Sequence, residues 1–129
     1  MELNTEIIKL LIVESEDELR EVMVDFFSLN GVHVVTAQNI SEALKIMLNE
    51  KIDVILSEIR MSGGGGIELL HELKKVSEIS PLFWFMNSRP DMSTEDALLL
   101  GAQGIYHKPF RLAVALEEIL KTVKGNIKY

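Results

Sequence analysis

The segment "IDVILSEIRMSGGGG" runs from Ile52 to Gly66. A short apolar run, "DVILSE" (Asp53 to Glu58), has strand character and ends in a lone carboxylate. The chain then turns through four consecutive glycines, Gly63 to Gly66, before helical spacing resumes at Ile67, Leu70 and Leu73, with Leu69 and Val76 as further candidates for the inner face. A buried strand delivering one acid to its carboxyl end, followed by a turn and a helix, is one β-α unit.

The same unit recurs on both sides. "IIKLLIV" (Ile7 to Val13) is apolar and rich in β-branched residues, as a strand buried on both faces should be. Glu14, Ser15, Glu16 and Asp17 follow as an acidic turn that favours a helix start, and Leu19, Val22, Met23, Phe26 and Phe27 recur at helical spacing until Asn30-Gly31. "VHVVTA" (Val32 to Ala37) is a second strand, with a helix from about Ser41 that turns Ala43, Leu44, Met47 and Leu48 inward. "PLFWFM" (Pro81 to Met86) is a fourth strand and "GIYH" (Gly104 to His107) a fifth. Between them, "STEDALLL" (Ser93 to Leu100) has capping-box-like spacing at Ser93 and Asp96 and stops at Gly101. "RLAVALEEILKTVK" (Arg111 to Lys124) is the last helix.

Five strands alternating with five helices imply right-handed crossovers and a parallel sheet covered on both faces. Such sheets bind ligands beyond the carboxyl ends of their strands. That rule selects Glu14, Ser15, Glu58, Met86, Asn87 and Lys108.

Composition bounds the function. At 129 residues the chain suggests a single domain over 1–129, with its core in about 7–124. It has no cysteine, which excludes disulfides, zinc ribbons and thiol catalysis. The formal net charge of -7 argues against direct nucleic-acid binding, and Lys74 with Lys75 and Lys121 with Lys124 read as solvated helix faces. The first apolar stretch lacks a basic flank and is too short to cross a bilayer, so the expectation is a cytoplasmic protein without a membrane partner.

Three segments, "LLIVESEDELREVM", "DVILSEIRMSGGGG" and "GAQGIYHKPF", together resemble the receiver (CheY-like) domains of two-component response regulators, over roughly Ile7 to Lys124. The resemblance implies a flavodoxin-like fold, strand order 2-1-3-4-5, in a signalling module that is not an enzyme. It implies five functional positions: two acids after the first strand that help hold magnesium, an aspartate ending the third strand that accepts phosphate, a serine or threonine ending the fourth, and a lysine ending the fifth. An aromatic switch residue often lies three positions before that lysine.

Most of these positions differ here. Glu14 is followed by Ser15, the acceptor position holds Glu58, the hydroxyl position Met86 and the aromatic position Ile105; Lys108 alone matches, with Pro109 after it, whose peptide bond is expected to be cis. Glutamate is a methylene longer than aspartate, a displacement of about 1 Å, and misplacement on that scale costs about a hundredfold in rate. Ser15 removes an anionic ligand from a cation that demands near-ideal geometry, and Met86 has no hydrogen to donate. Two register alternatives stay open: Glu16 with Asp17 as the acidic pair, and Ser88 as the hydroxyl.

The resulting expectation is a degenerate receiver, unphosphorylated, with no cofactor and weak or absent magnesium binding, in which Glu58 pairs with Lys108. It would act through contacts with other signalling proteins, a histidine kinase or an effector domain. A homodimer through the fourth helix, fifth strand and fifth helix is a further expectation, with Leu99, Ile105 and Tyr106 on that face, because three consecutive leucines at 98 to 100 cannot all face the core. Alternatives are a live receiver using Glu58 by a non-standard route, and a nucleotide or anion binder using Gly63 to Gly66. The glycines read more simply as a mobile turn. His33, His71 and His107 are not spaced as metal ligands, and Trp84 reads as core.

Overall fold

The computed structural model describes residues 7–61, 63–76 and 81–125, without the side chain of Val76. In chain order the elements are β1 (Lys9–Val13), α1 (Asp17–Leu29), β2 (His33–Ala37), α2 (Ile40–Asn49), β3 (Val54–Glu58), α3 (Gly66–Val76), β4 (Leu82–Asn87), α4 (Thr94–Leu100), β5 (Gly104–His107) and α5 (Leu112–Gly125). All strand pairs are parallel, in the order β2-β1-β3-β4-β5.

Strand alternation divides the core in two. Leu11, Val13, Ile55, Phe83 and Phe85 pack with Ala43 of α2, Leu69, Leu70 and Leu73 of α3, and Ala97 of α4. Leu10, Ile12, Leu56, Trp84 and Met86 pack with Met23 and Phe27 of α1 and Ala115 and Ile119 of α5. Both faces of the central strands are therefore dry, which is why β1, β3 and β4 read as continuous apolar runs rather than alternating ones.

The expected inner faces need four corrections. Ile7 lies before β1 and is exposed; Val22, Leu48 and Ile67 are also exposed. The reason is angular: a helix turns about 100° per residue, so Val22 and Leu48 lie one step beside Met23 and Met47, at the edge of the buried stripe. Ile67 belongs to the first turn of α3, where the inward residues are Leu69, Leu70 and Leu73. Val76, also a candidate, lies outside the described side chains.

The glycine turn packs closely against the β3 tip. A Cβ on Gly65 would stand 1.7 Å from the Ile59 carbonyl oxygen, so only glycine permits this approach to the β3 tip. Gly64 N–H donates to Met61 O (3.3 Å), Gly65 N–H to Glu68 Oε1 (2.6 Å) and Gly66 N–H to Ile59 O (2.9 Å). At α4 the spacing at Ser93 and Asp96 is a complete capping box, and Gly101, at φ 103°, ends the helix in the left-handed region.

Candidate functional site

The parallel register brings the carboxyl ends of β1, β3, β4 and β5 to one edge. Val13 lies opposite Ser57, Glu58 opposite Met86, and Asn87 opposite His107. Glu14, one residue past β1, is therefore close to Glu58, and Lys108 follows β5 with its backbone N–H bonded to Asn87 O at 2.8 Å. The Lys108–Pro109 bond is cis.

Three side chains converge there. Lys108 Nζ donates to Glu14 Oε1 at 2.8 Å and to Glu58 Oε2 at 2.9 Å. The Glu14 side chain is 0% exposed, Lys108 15% and Glu58 16%. Ser15 closes the other side: its backbone N–H (3.0 Å) and its hydroxyl (2.9 Å) both donate to Glu58 Oε1. The second Glu14 oxygen, Oε2, accepts from Glu16 N–H at 3.1 Å. Both Glu58 oxygens are thus occupied by partners from β1 and β5, and the extra methylene of glutamate lets the carboxylate reach Ser15.

The electrostatics follow from two acids sharing one ammonium. Burial is the largest influence on Glu14 and pushes its carboxyl above the ordinary range, with the nearby Glu58 charge adding to the rise; the Lys108 and Glu16 hydrogen bonds oppose it. For Glu58 burial is again the largest single influence and acts upward, but the donors of Ser15 and Lys108 together outweigh it and hold this carboxyl low. Lys108 is raised: burial disfavours its charge, and the two carboxylates overcome that. With both acids ionised the cluster carries two negative charges against one positive.

The remaining sequence candidates are placed as follows. Met86 is 0% exposed and packs in the cluster with Leu56, Trp84 and Ala115. The polar group at the β4 tip is its neighbour Asn87, 3% exposed, whose Nδ2 donates to Arg89 O (2.5 Å) and Asp91 Oδ1 (2.8 Å) rather than toward Glu58. Ser88 is exposed, and Glu16 and Asp17 are exposed at the start of α1; Glu14, not either of them, meets Lys108. Ile105 is half-buried against the core cluster containing Phe85 and Ala97. Tyr106 is half-buried too, stacks on Phe110 at 5.0 Å between ring centroids, and donates its hydroxyl to Glu118. Leu99 is exposed. Of the three residues expected on the partner face, Leu99 is the outward one.

Two contacts go beyond the sequence pattern. Ser15, selected by its place past β1 as a missing acid, is a donor to Glu58: a longer acid beside a shorter hydroxyl is a complementary pair. Lys74, read as solvated, donates Nζ to Leu100 O at 2.6 Å. In the glycine loop three amides already have acceptors, one of them the carboxylate of Glu68, which competes with any anion for that nest. Among the described residues no three His, Cys, Asp or Glu side chains are grouped to hold a metal, and no helix is long and apolar enough to cross a membrane.

Fold and crevice together define a receiver module. Residues 10–122 match the response regulator receiver domain, and the chain belongs to that family. Among curated proteins it is 37% identical over 102 residues to the transcriptional regulatory protein CpxR homolog of Haemophilus influenzae, covering 79% of this chain and 44% of that one. It is 31% identical over 118 residues to a probable transcriptional regulator, ycf27, of Cyanidium caldarium, covering 89% and 47%. The chain thus spans about half the length of the curated relatives it matches. Among solved structures, the receiver domain of the Francisella response regulator 1452 superposes with a TM-score of 0.84 at 22% identity, covering 92% of this chain and 98% of that one, a likeness of fold. Receiver domains are signalling modules of two-component systems, and this chain is one of them.

Proposed function

We propose that this chain is a receiver whose acceptor crevice is filled by its own side chains, so that it signals by protein contact without being phosphorylated. The observation that carries this reading is the Lys108 ammonium shared between Glu14 and Glu58, with Ser15 on the remaining Glu58 oxygen. Phosphoryl transfer to a carboxylate needs a free oxygen for in-line attack and cations spread around the transferred group. Here Ser15 places two donors on Glu58 Oε1 and Lys108 one on Oε2, so three of about four acceptor sites are already engaged; the neighbouring strand supplies Met86 in place of a donor, and Ser15 stands where a second carboxylate would complete a divalent-cation site. Magnesium binding is accordingly weak or absent, and no cofactor is required.

The partners of such a module are other signalling proteins, a histidine kinase or an effector domain, met in the cytoplasm. Leu99 on α4 marks a face for self-association or docking, with β5 and α5 beside it. The test of the crevice is direct: incubate the chain with magnesium and acetyl phosphate and weigh it intact. The expected spectrum shows the unmodified mass alone; a stoichiometric phosphate adduct on Glu58 overturns the reading.

A further inference from the structure

The β1–α1 turn brings Glu14 and Ser15 into the crevice, yet α1 starts there without a side-chain cap. Its N-cap is Glu16, and no side-chain hydrogen bond closes it. Arg20 holds the turn instead. It stands at the end of the first turn of α1, where a cation opposes the positive end of the helix dipole. Its side chain is nevertheless only 13% exposed. One arm of the guanidinium, Nη2, pairs with Asp17. The other, Nη1, donates to Glu14 O at 2.8 Å.

That carbonyl belongs to the same peptide group as the Ser15 N–H, which donates to Glu58 Oε1 at 3.0 Å. The Glu14–Ser15 peptide is trans. A trans peptide is planar and points its carbonyl and its N–H in opposite directions, so fixing one end aims the other. The group is therefore gripped by a guanidinium at its oxygen and by a carboxylate at its hydrogen, each a charge-assisted bond. A bond at one end also polarises the group and strengthens the bond at the other. We propose that Arg20 is a positioning residue of the crevice: through the Glu14–Ser15 peptide it sets where the two Ser15 donors meet Glu58. It acts at one remove, since its own side-chain bonds go to Glu14 O and Asp17. This role rests on the Ser15 clamp of the proposed function and is independent of whether Glu58 accepts phosphate.

Amide hydrogen exchange followed by NMR on the full chain reads the Ser15 N–H directly. Arg20→Met is expected to speed exchange at Ser15 by about tenfold, the net worth of one hydrogen bond. The Ser15 amide proton should also move upfield as its bond to Glu58 lengthens. Arg20→Lys keeps a cation but not the fork, so Ser15 exchange is expected to rise only about two- to threefold. Ile52→Val is the control: it loosens a buried side chain before β3, at the end of the sheet away from the crevice, and should leave both Ser15 readouts as in wild type. Should Arg20→Met fail to fold, Arg20→Lys carries the test. Unchanged Ser15 exchange and shift in the Arg20 variants that fold overturn the proposal. So does an equal Ser15 response in Ile52→Val, because Ser15 then reports general stability. Intact mass after acetyl phosphate keeps the two readings apart, since an adduct on the wild-type chain overturns the silent crevice and leaves the Ser15 readout standing.

Discussion

The tips of β3 and β4 lie side by side, Glu58 against Met86, yet they are held by different parts of the molecule. The β3 tip is charged and bonded to Ser15 after β1 and to Lys108 after β5. The β4 tip is apolar at Met86, and the polar residue that follows, Asn87, is spent on its own loop through Asp91. No side-chain hydrogen bond between described residues crosses from one tip to the other. Charge at Glu58 is therefore read by β1 and β5, while the β4–α4 loop answers to Arg60.

The hardest test of that division is Lys108→Met. It leaves Glu14, fully buried, and Glu58 without their ammonium, and breaking a buried pair from one side costs about 3–5 kcal/mol. Guanidinium unfolding measures it, and adding Glu14→Gln should recover part of the loss, because the neutral amide removes the buried charge. A cost under about 1 kcal/mol would show that the cluster is solvated and that the β3 tip is not held as described.

Met86→Thr probes the other tip. Truncating a buried methionine costs about 2–4 kcal/mol, read from the same denaturation curves. The variant supplies the hydroxyl that β4 lacks, and it is still expected to yield no phosphate adduct in intact mass, since three donors still hold Glu58 and Ser15 still stands in place of a second carboxylate. An adduct on this single variant would mean that the β4 tip alone had kept the crevice silent.

Glu58→Ala is expected to cost less, about 1–2 kcal/mol, because Lys108 keeps Glu14 and Ser15 can turn to water. Its clearer signature is in pH. The Glu58 carboxyl is held low in the folded chain, so it contributes stability that is present above the ordinary glutamate pKa and lost as pH falls through the lowered value. Glu14, raised by burial, works the other way: the folded state gains on its protonation, and stability tied to it falls as pH rises from the ordinary value through the raised one. Thermal melts across the acid range should therefore lose part of their acid-side slope in Glu58→Ala and steepen in Glu14→Gln. Identical slopes in all three proteins would remove both assignments.

The fold was legible because burial writes itself into composition. β1, β3 and β4 are dry on both faces and read as unbroken apolar runs, and Asn30-Gly31 and Gly101 mark helix ends that the structure keeps. Glu58 and Lys108 could be placed at strand ends by counting alone, and their pairing followed from opposite charge. What counting missed depends on where side chains reach. The Ser15 clamp exists because a longer acid spans to the neighbouring strand tip, a distance no spacing rule contains. Lys74 looks like any solvated lysine until α4 is seen to end beside it, and Arg60 meets Asp91 across 31 residues of sequence. Val22 and Leu48 differ for a simpler reason: a stripe read from periodicity has edges, and an exposed hydrophobic residue at such an edge is ordinary on a protein surface.

The smallest expected effect on stability belongs to Leu99→Asp. Leu99 is 86% exposed, so a charge there should change unfolding by no more than about 0.5 kcal/mol. If α4 presents a docking face, sedimentation of the wild-type chain should show self-association that the variant loses at equal stability. A monomer in both cases leaves Leu99 a solitary surface leucine.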